Sequence, residues 1–195
     1  MSSNASPDTS CLFRPITIGN LKLSHHIVLL PLTRYSATRL THVPINPMLK
    51  TYYEQCASVP GTLLITGATL ITAKADGEHN IPGVWNQEQI DTWNEVTNAV
   101  HAKGPDIFTQ IWALGRMARI SHLQEETLSL PYTTPSPNPL SHRNSTTHEL
   151  AIPKIEECIT LFIRAAKNTV EARFNGVEID NANGWFVGSV CEGCS

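Results

Sequence analysis

The stretch NQEQIDTWNEVTNAVHAKGPDIFTQIW, residues 86–112, decides the fold class, because it predicts one helix followed directly by one strand. Asn86 and Gln89 predict a capping box at the start of the helix, and Lys103-Gly104 predicts its end. The strand is DIFTQIW, Asp106–Trp112. Apolar side chains at helical spacing predict the buried face of the helix, namely Ile90, Trp93, Val96 and Val100.

The same pattern of helix and strand recurs on both sides of this stretch. Strands are predicted over residues 26–32, 61–66 and 175–179, and the first of them is a continuous apolar run of the kind that suits a strand buried on both faces. Two further helices are predicted between them, one beginning near Pro47 and one at Pro153. Repeated units of this kind build a parallel sheet with right-handed crossovers, either a doubly wound sheet or a barrel.

The segments around the first strand favour the barrel. Before this strand, ITIGNLKL predicts a small hairpin about Gly19-Asn20. After it, PLTRYSA lacks the glycine-rich fingerprint that a doubly wound nucleotide-binding sheet ordinarily shows at this place. A long connection rich in Pro, Ser and Thr runs from the third strand to about Ala151, and a loop of that length is usually functional or partly disordered.

Composition excludes several classes of partner. The 195-residue chain has a formal net charge of -3, with the charges scattered, so neither nucleic acid nor an anionic membrane is predicted to bind. Apolar runs stay well short of the roughly 18 residues of a membrane span. Five cysteines, an odd number, indicate free thiols in a reducing compartment, and we expect a cytoplasmic protein. Cys191 and Cys194 form a C-x-x-C pair without further ligands, so no metal centre is predicted.

Hydrogen-bonding side chains stand at the end of each predicted strand. The fourth strand runs into VEIDNANGW, residues 177–185. A turn explains this pattern, because Asp, Asn and Gly tolerate turn geometry. A catalytic rim also explains it, because the active sites of parallel barrels lie at the carboxyl ends of their strands. Taken together, the polar strand ends favour a ligand-binding mouth formed by Thr33 and Arg34, Thr66 and Gly67, Gln110 and Trp112, and Asp180 and Asn183.

Several stretches resemble the old yellow enzyme family in their order and spacing. They are LFRPITIGNLKLSHHIVLLPLTRYSA (residues 12–37), LLITGATLI (63–71), IPGVWNQEQ (81–89), IFTQIWALGR (107–116) and AAKNTVEARFNGVEI (165–179) followed by NANG. The resemblance implies a (β/α)8 TIM barrel and an FMN-dependent NAD(P)H oxidoreductase of the ene-reductase type. Its small-molecule substrates would be α,β-unsaturated carbonyl compounds, enals or enones, whose activated C=C bond is reduced.

The resemblance also implies which residues hold the flavin. Thr33 would lie near the ring edge, and Gln110 would hydrogen-bond the pyrimidine side of the ring. Pro31 and Leu32 would line the flavin, and Ala68 would approach it as a small residue. These assignments suit an isoalloxazine, which needs donors and acceptors at its polar rim and apolar walls at its faces.

The implied catalytic rim departs from the family pattern. Asp180 stands where the family has the first histidine of a donor pair that holds the substrate's carbonyl oxygen, and a carboxylate only accepts hydrogen bonds. Asn183 remains as the single donor of that pair. Trp185 replaces the tyrosine that commonly protonates the substrate carbon, and an indole is not a useful acid. Trp112 would line the substrate cavity.

The length of the chain predicts half a barrel. A TIM barrel takes roughly 250 residues, so we expect an α/β half-barrel of about four parallel strands with three intervening helices and an N-terminal hairpin. The expected divisions are a disordered N-terminus (1–11), the N-terminal half of an FMN-binding barrel (12–186) and an unrelated tail (187–195). The alternative function is a catalytically inactive truncated half-barrel, either a remnant or a piece that associates through its exposed edges.

Overall fold

The computed structural model describes residues 10–125, 132–134 and 148–192. Most of the predicted disordered N-terminus, parts of the long connection, and Cys194 lie outside these residues. The strands are β1 (Ile16–Ile18), β2 (Leu21–Leu23), β3 (Val28–Leu29), β4 (Leu63–Ile65), β5 (Thr69–Leu70), β6 (Asp106–Trp112), β7 (Thr133–Thr134), β8 (His148–Glu149) and β9 (Gly176–Ile179). The α-helices are α1 (Met48–Cys56), α2 (Gln87–His101), α3 (Ile120–Glu125), α4 (Ile152–Glu171) and α5 (Phe186–Glu192). Among these described helices, none combines the length and the apolar character needed to cross a bilayer.

A small antiparallel hairpin precedes the main sheet. Strands β1 and β2 pair from Ile16 opposite Leu23 to Ile18 opposite Leu21, so the predicted hairpin is confirmed. Gly19 has a φ of 57°, a backbone conformation that glycine adopts without steric cost. The two-residue turn Gly19-Asn20 therefore closes the hairpin.

The main sheet is parallel along its whole described length. Strand β3 pairs with β4, β4 with β6, and β6 with β9, so the four predicted barrel strands lie side by side in sequence order. The C-terminal end of β6 pairs with β5. Strand β5 follows β4 on the same side of β6, and a break in the strand separates the two. Helices α1, α2 and α4 connect the successive barrel strands. The predicted parallel half-barrel is confirmed.

Two features of the sheet and its connections differ from the prediction. The sequence predicts a first strand over residues 26–32, whereas β3 covers only Val28–Leu29. Pro31 has no N–H to donate, and Leu30 and Leu32 are 66% and 48% exposed, so these residues lie outside the ladder. The long connection after β6 also contains the short helix α3, which its Pro- and Ser-rich composition did not predict.

The core lies between the sheet and helices α1, α2 and α4. The backbone N–H of Gln89 donates to Asn86 Oδ1 (2.9 Å) and that of Asn86 donates to Gln89 Oε1 (3.3 Å), so the predicted capping box is confirmed. Trp93 is 1% exposed and donates its indole N–H to the carbonyl oxygen of Gly83 at 3.1 Å. The core around Trp93 includes Leu49, Tyr53, Leu64, Ile107, Ile111 and Ala165.

Helix α5 packs against this core at the C-terminal side of the described chain. The backbone N–H of Phe186 donates to the carbonyl oxygen of Ala113 at 3.1 Å, and the Phe186 ring is buried. Val187 and Val190 pack against the same core. The predicted division at residue 186 thus falls at the first residue of a packed helix, and the domain divisions stay predictions.

Candidate functional site

A cavity of about 500 Å³ opens at the carboxyl ends of the parallel strands. Because parallel strands end at the same edge of a sheet, side chains that are distant in sequence converge there. Glu78, Arg119 and Glu178 line the cavity without having been predicted as site residues. The predicted site residues that line it are Pro31, Thr33, Ala68, Gln110, Trp112, Asp180, Asn183 and Trp185.

The break between β4 and β5 brings Ala68 to this cavity. Gly67 lies so close to the end of β3 that a Cβ atom built on it would be 2.5 Å from the carbonyl oxygen of Leu32. Its backbone N–H donates to the hydroxyl oxygen of Tyr53 at 3.0 Å. Burial raises the pKa of this tyrosine well above its usual value, so the hydroxyl remains neutral in the core. Close backbone contact and one buried hydrogen bond therefore fix the bend that places Ala68 at the cavity wall.

Buried hydroxyl groups join the strands behind the cavity. Thr66 Oγ1 donates to Thr109 Oγ1 at 3.1 Å, and Thr109 Oγ1 donates to Thr69 Oγ1 at 3.4 Å. The backbone N–H of Gln110 donates to Thr66 Oγ1 at 3.3 Å. These bonds tie β6 to the residues on both sides of the break, and they hold Gln110 at a fixed position on the cavity wall.

Gln110 and Glu178 form a side-chain pair across neighbouring strands. They are directly opposite each other in the register of β6 and β9. Gln110 Nε2 donates to Glu178 Oε1 at 3.3 Å. Glu178 Oε2 and the indole Nε1 of Trp112 are buried with no hydrogen-bond partner among the described residues. Both atoms belong to residues that line the cavity, and an unpaired buried polar atom of this kind is uncommon in proteins.

Two tryptophans form an aromatic corner of the cavity. The rings of Trp112 and Trp185 meet edge to face, with centroids 4.6 Å apart and an interplanar angle of 87°. Trp112 is buried and Trp185 is half-buried. This arrangement is a favourable one for aromatic pairs. Trp185, a predicted catalytic-rim residue, is thus packed against Trp112, which is predicted to line the substrate cavity.

The segment after β9 is both a turn and part of the cavity wall. Asp180 Oδ1 accepts a hydrogen bond from the backbone N–H of Ala182 at 3.1 Å, the bond of an Asx turn. Asn183 has a φ of 54°, in the left-handed region where asparagine is enriched. Both residues line the cavity. The turn is therefore confirmed, and the catalytic rim stays a prediction for residues that do line the cavity.

A charged network lies at the rim of the cavity. Arg119 Nε is 3.1 Å from Glu78 Oε2, and His122 Nδ1 is 3.8 Å from Glu78 Oε1. The His122 ring stacks on that of His79 with centroids 3.6 Å apart. Desolvation, and after it the charge of His122, lower the pKa of His79. The network ties α3 to the segment that follows β5, so both borders of the rim are fixed.

Several predicted residues lie outside the cavity lining, and one important residue was missed. The predicted residues that do not line the cavity are Leu32, Arg34, Thr66 and Gly67, and the assignment of Leu32 to the flavin stays a prediction. Glu178 was missed because only strand ends were considered as sites. The signal was present in the sequence, since Glu178 lies in the predicted strand two residues before the strand-end residue Asp180, and strand residues two apart are expected on the same face.

Comparisons with known proteins match this chain to one family. A profile of the NADH:flavin oxidoreductase / NADH oxidase family matches residues 11–191. The probable inactive reductase easA of Epichloe festucae var. lolii is 46% identical over 180 residues, which are 92% of this chain and 46% of that protein. The chanoclavine-I aldehyde reductase fgaOx3 of Penicillium roqueforti is 46% identical over 176 residues, 90% of this chain and 47% of that protein.

Solved structures with the same fold include two old yellow enzymes. The crystal structure of TcOYE with pHBA superimposes with a TM-score of 0.84 at 31% identity, covering 91% of this chain and 53% of that one. The Old Yellow Enzyme from Pichia sp. AKU4542 has a TM-score of 0.81 at 31% identity, covering 90% of this chain and 47% of that one. The chain thus spans about half the length of the proteins it matches.

Proposed function

Because the chain belongs to the NADH:flavin oxidoreductase / NADH oxidase family, we propose that its cavity holds the flavin ring of FMN, with NAD(P)H as the reductant. The observation that carries this proposal is the convergence of the predicted residues on one cavity at the carboxyl ends of the strands. In a complete barrel this site would reduce the C=C bond of α,β-unsaturated aldehydes or ketones. When bound, FMN supplies hydride transfer between nicotinamide and substrate.

The cavity suits an isoalloxazine in size and in chemistry. Its volume of about 500 Å³ falls within the range of ordinary ligand sites. Thr33 and Gln110 offer polar groups for the ring edge, and Ala68 offers a small surface where a ring face can approach. Trp112 offers an aromatic wall to the same cavity.

The residues that would face the substrate are less suited to catalysis than those that would face the flavin are to binding. Hydride transfer to an enone places negative charge on the carbonyl oxygen, which must be stabilised by hydrogen-bond donors. Asn183 can donate such a bond, whereas the carboxylate of Asp180 only accepts. Trp185 can line the cavity but cannot deliver a proton to carbon. The cavity therefore offers groups that can orient a flavin ring, whereas Asp180 and Trp185 are poorly suited to stabilise the transition state.

This weakness favours a second candidate function, a catalytically inactive half-barrel. Asp180 and Trp185 are the observation that supports it, and one of the similar proteins is named a probable inactive reductase. Such a half-barrel would associate with further barrel strands. Among the described residues, strand β9 pairs with β6 on one side only, and helix α4 exposes Ile152, Ile159, Ile163 and Val170. We propose that a parallel strand followed by an amphipathic helix covers these surfaces.

The test is to build a complete barrel around this chain. Residues 1–192 are joined to the second half of an active relative, so that α5 keeps its packing. FMN content is measured by absorbance after gel filtration, and NADPH-dependent reduction of an enone is measured separately. FMN retention that is lost in Gln110→Ala supports the flavin site. A barrel that folds and holds no flavin contradicts it, and a flavin-bound barrel without turnover favours the inactive alternative.

A further inference from the structure

Glu178 is a carboxylate in the interior of the half-barrel, on the middle of a strand. It is directly opposite Gln110, and its Oε1 accepts the hydrogen bond from Gln110 Nε2 at 3.3 Å. A carboxylate has no hydrogen to donate, so the amide of Gln110 must present its NH2 group to it. This chemical constraint fixes which end of the Gln110 amide faces Glu178.

The other end of the amide is then the carbonyl oxygen. Gln110 lines the cavity and is 8% exposed, so its remaining polar surface is directed to whatever occupies that cavity. A carbonyl oxygen needs an N–H or O–H donor as its partner. The pyrimidine edge of an oxidised flavin alternates acceptor, donor and acceptor, and its one donor is N3–H.

We propose that Glu178 is a positioning residue, which holds the Gln110 amide with its carbonyl oxygen toward the cavity as the acceptor for the N3–H of a flavin. This inference rests on the flavin site of the proposed function. The carboxylate acts through Gln110, because Glu178 Oε1 is engaged with that amide. Without Glu178, the amide can rotate by half a turn and place its NH2 group in the cavity, where it meets the N3–H of the flavin donor to donor.

The experiment measures whether the chain distinguishes a flavin with N3–H from one without it. The probes are lumiflavin and N3-methyl-lumiflavin, which carry only the ring that the named residues face. Their dissociation constants for the 195-residue chain are measured by quenching of flavin fluorescence. The unaltered chain should bind lumiflavin about tenfold more tightly than the methylated ring, the value expected for one hydrogen bond of about 1.4 kcal/mol.

Variants of Gln110 and Glu178 distinguish an effect on the orientation of the Gln110 amide from an effect on packing. In Glu178→Gln, both amides can donate and accept, and the preference for lumiflavin should fall to about threefold or less. The matched control is Glu156→Gln, an exposed position on α4, which should keep the full preference. In the exchanged pair Gln110→Glu with Glu178→Gln, the new amide donates to the new carboxylate, whose second oxygen faces the cavity as an acceptor. This exchange should restore the preference, which a merely structural role would not do.

The outcomes separate the two proposals. If neither ring binds the unaltered chain, the flavin site is wrong and the role of Glu178 falls with it. If both rings bind with equal affinity, the flavin site stands and the role of Glu178 is overturned. An unchanged preference in Glu178→Gln also overturns it. If Glu178→Gln does not fold, the exchanged pair decides: restored preference supports the proposal, and lost preference in a folded exchanged pair overturns it.

Discussion

Replacing Asp180 by asparagine should convert the weakest part of the site into a functional one. Asp180 uses one oxygen, Oδ1, to accept the hydrogen bond from Ala182 N–H at 3.1 Å. Asparagine has the same shape and keeps an oxygen for this bond, while its NH2 group replaces the second carboxylate oxygen. Asp180→Asn therefore retains the turn, removes a negative charge from the cavity and adds a donor.

The magnitude follows from what the unaltered rim lacks. Loss of one preorganised donor to a developing oxyanion typically costs about 10²- to 10³-fold in rate, and loss of a general acid costs about 10²- to 10⁴-fold. Effects of groups that act as a unit are less than additive. In the joined barrel, we expect Asp180→Asn to raise the rate of hydride transfer at least about tenfold. Asp180→Asn with Trp185→Tyr should raise it at least about a hundredfold.

The assay is stopped-flow oxidation of the reduced flavin by an enone, because this step reports on the substrate carbonyl and not on nicotinamide binding. Asn181→Ala, at an exposed position beside Asp180, is the matched control and should leave the rate unchanged. The reasoning is refuted if the unaltered joined barrel is already as fast as its active relative. In that case Asp180 and Trp185 are not defects, and the cavity recognises its substrate in another way.

Three further predictions concern stability and are measured by urea unfolding. Asn86→Ala removes the capping box of α2 and should lower the free energy of unfolding by about 1 kcal/mol, and an unchanged midpoint would contradict that role. Gly67→Ala places a Cβ atom 2.5 Å from the carbonyl oxygen of Leu32 and should cost about 1–3 kcal/mol, so a neutral effect would show that the strand ends separate easily. Burial raises the pKa of Asp76, so the folded state binds the proton of this carboxyl group more tightly than the unfolded state does. The stabilisation from that bound proton is complete below the unfolded pKa of about 3.9, and it is lost as the pH rises through the folded pKa. Asp76→Asn should therefore stabilise the protein at about pH 7 and not at about pH 3, and a gain that is equal at both values would exclude this origin.

The parts of the fold that were predictable are those whose signals lie within one segment. The capping pair Asn86 and Gln89 marks the start of α2 within three residues, and the predicted strand Asp106–Trp112 coincides with β6. The break between β4 and β5 was not predictable in this way. It depends on the approach of Gly67 to Leu32 and on a hydrogen bond from Gly67 to Tyr53, contacts between residues that are far apart in the chain. Sequence patterns do not encode such contacts locally.

The candidate site also combines features that the sequence predicts with features that it does not. Asp180 shows why the function of the rim residues is hard to predict from sequence. A strand end in a parallel barrel has to reverse direction and also face the ligand, so one short polar side chain can serve both needs. Aspartate meets the first need fully, because the Asx turn requires only an acceptor. It fails the second, because a developing oxyanion requires a donor. The turn is therefore preserved, and under the proposed function we expect the chemistry to change, because a chain with Asp180 can keep the fold while it stabilises the oxyanion poorly.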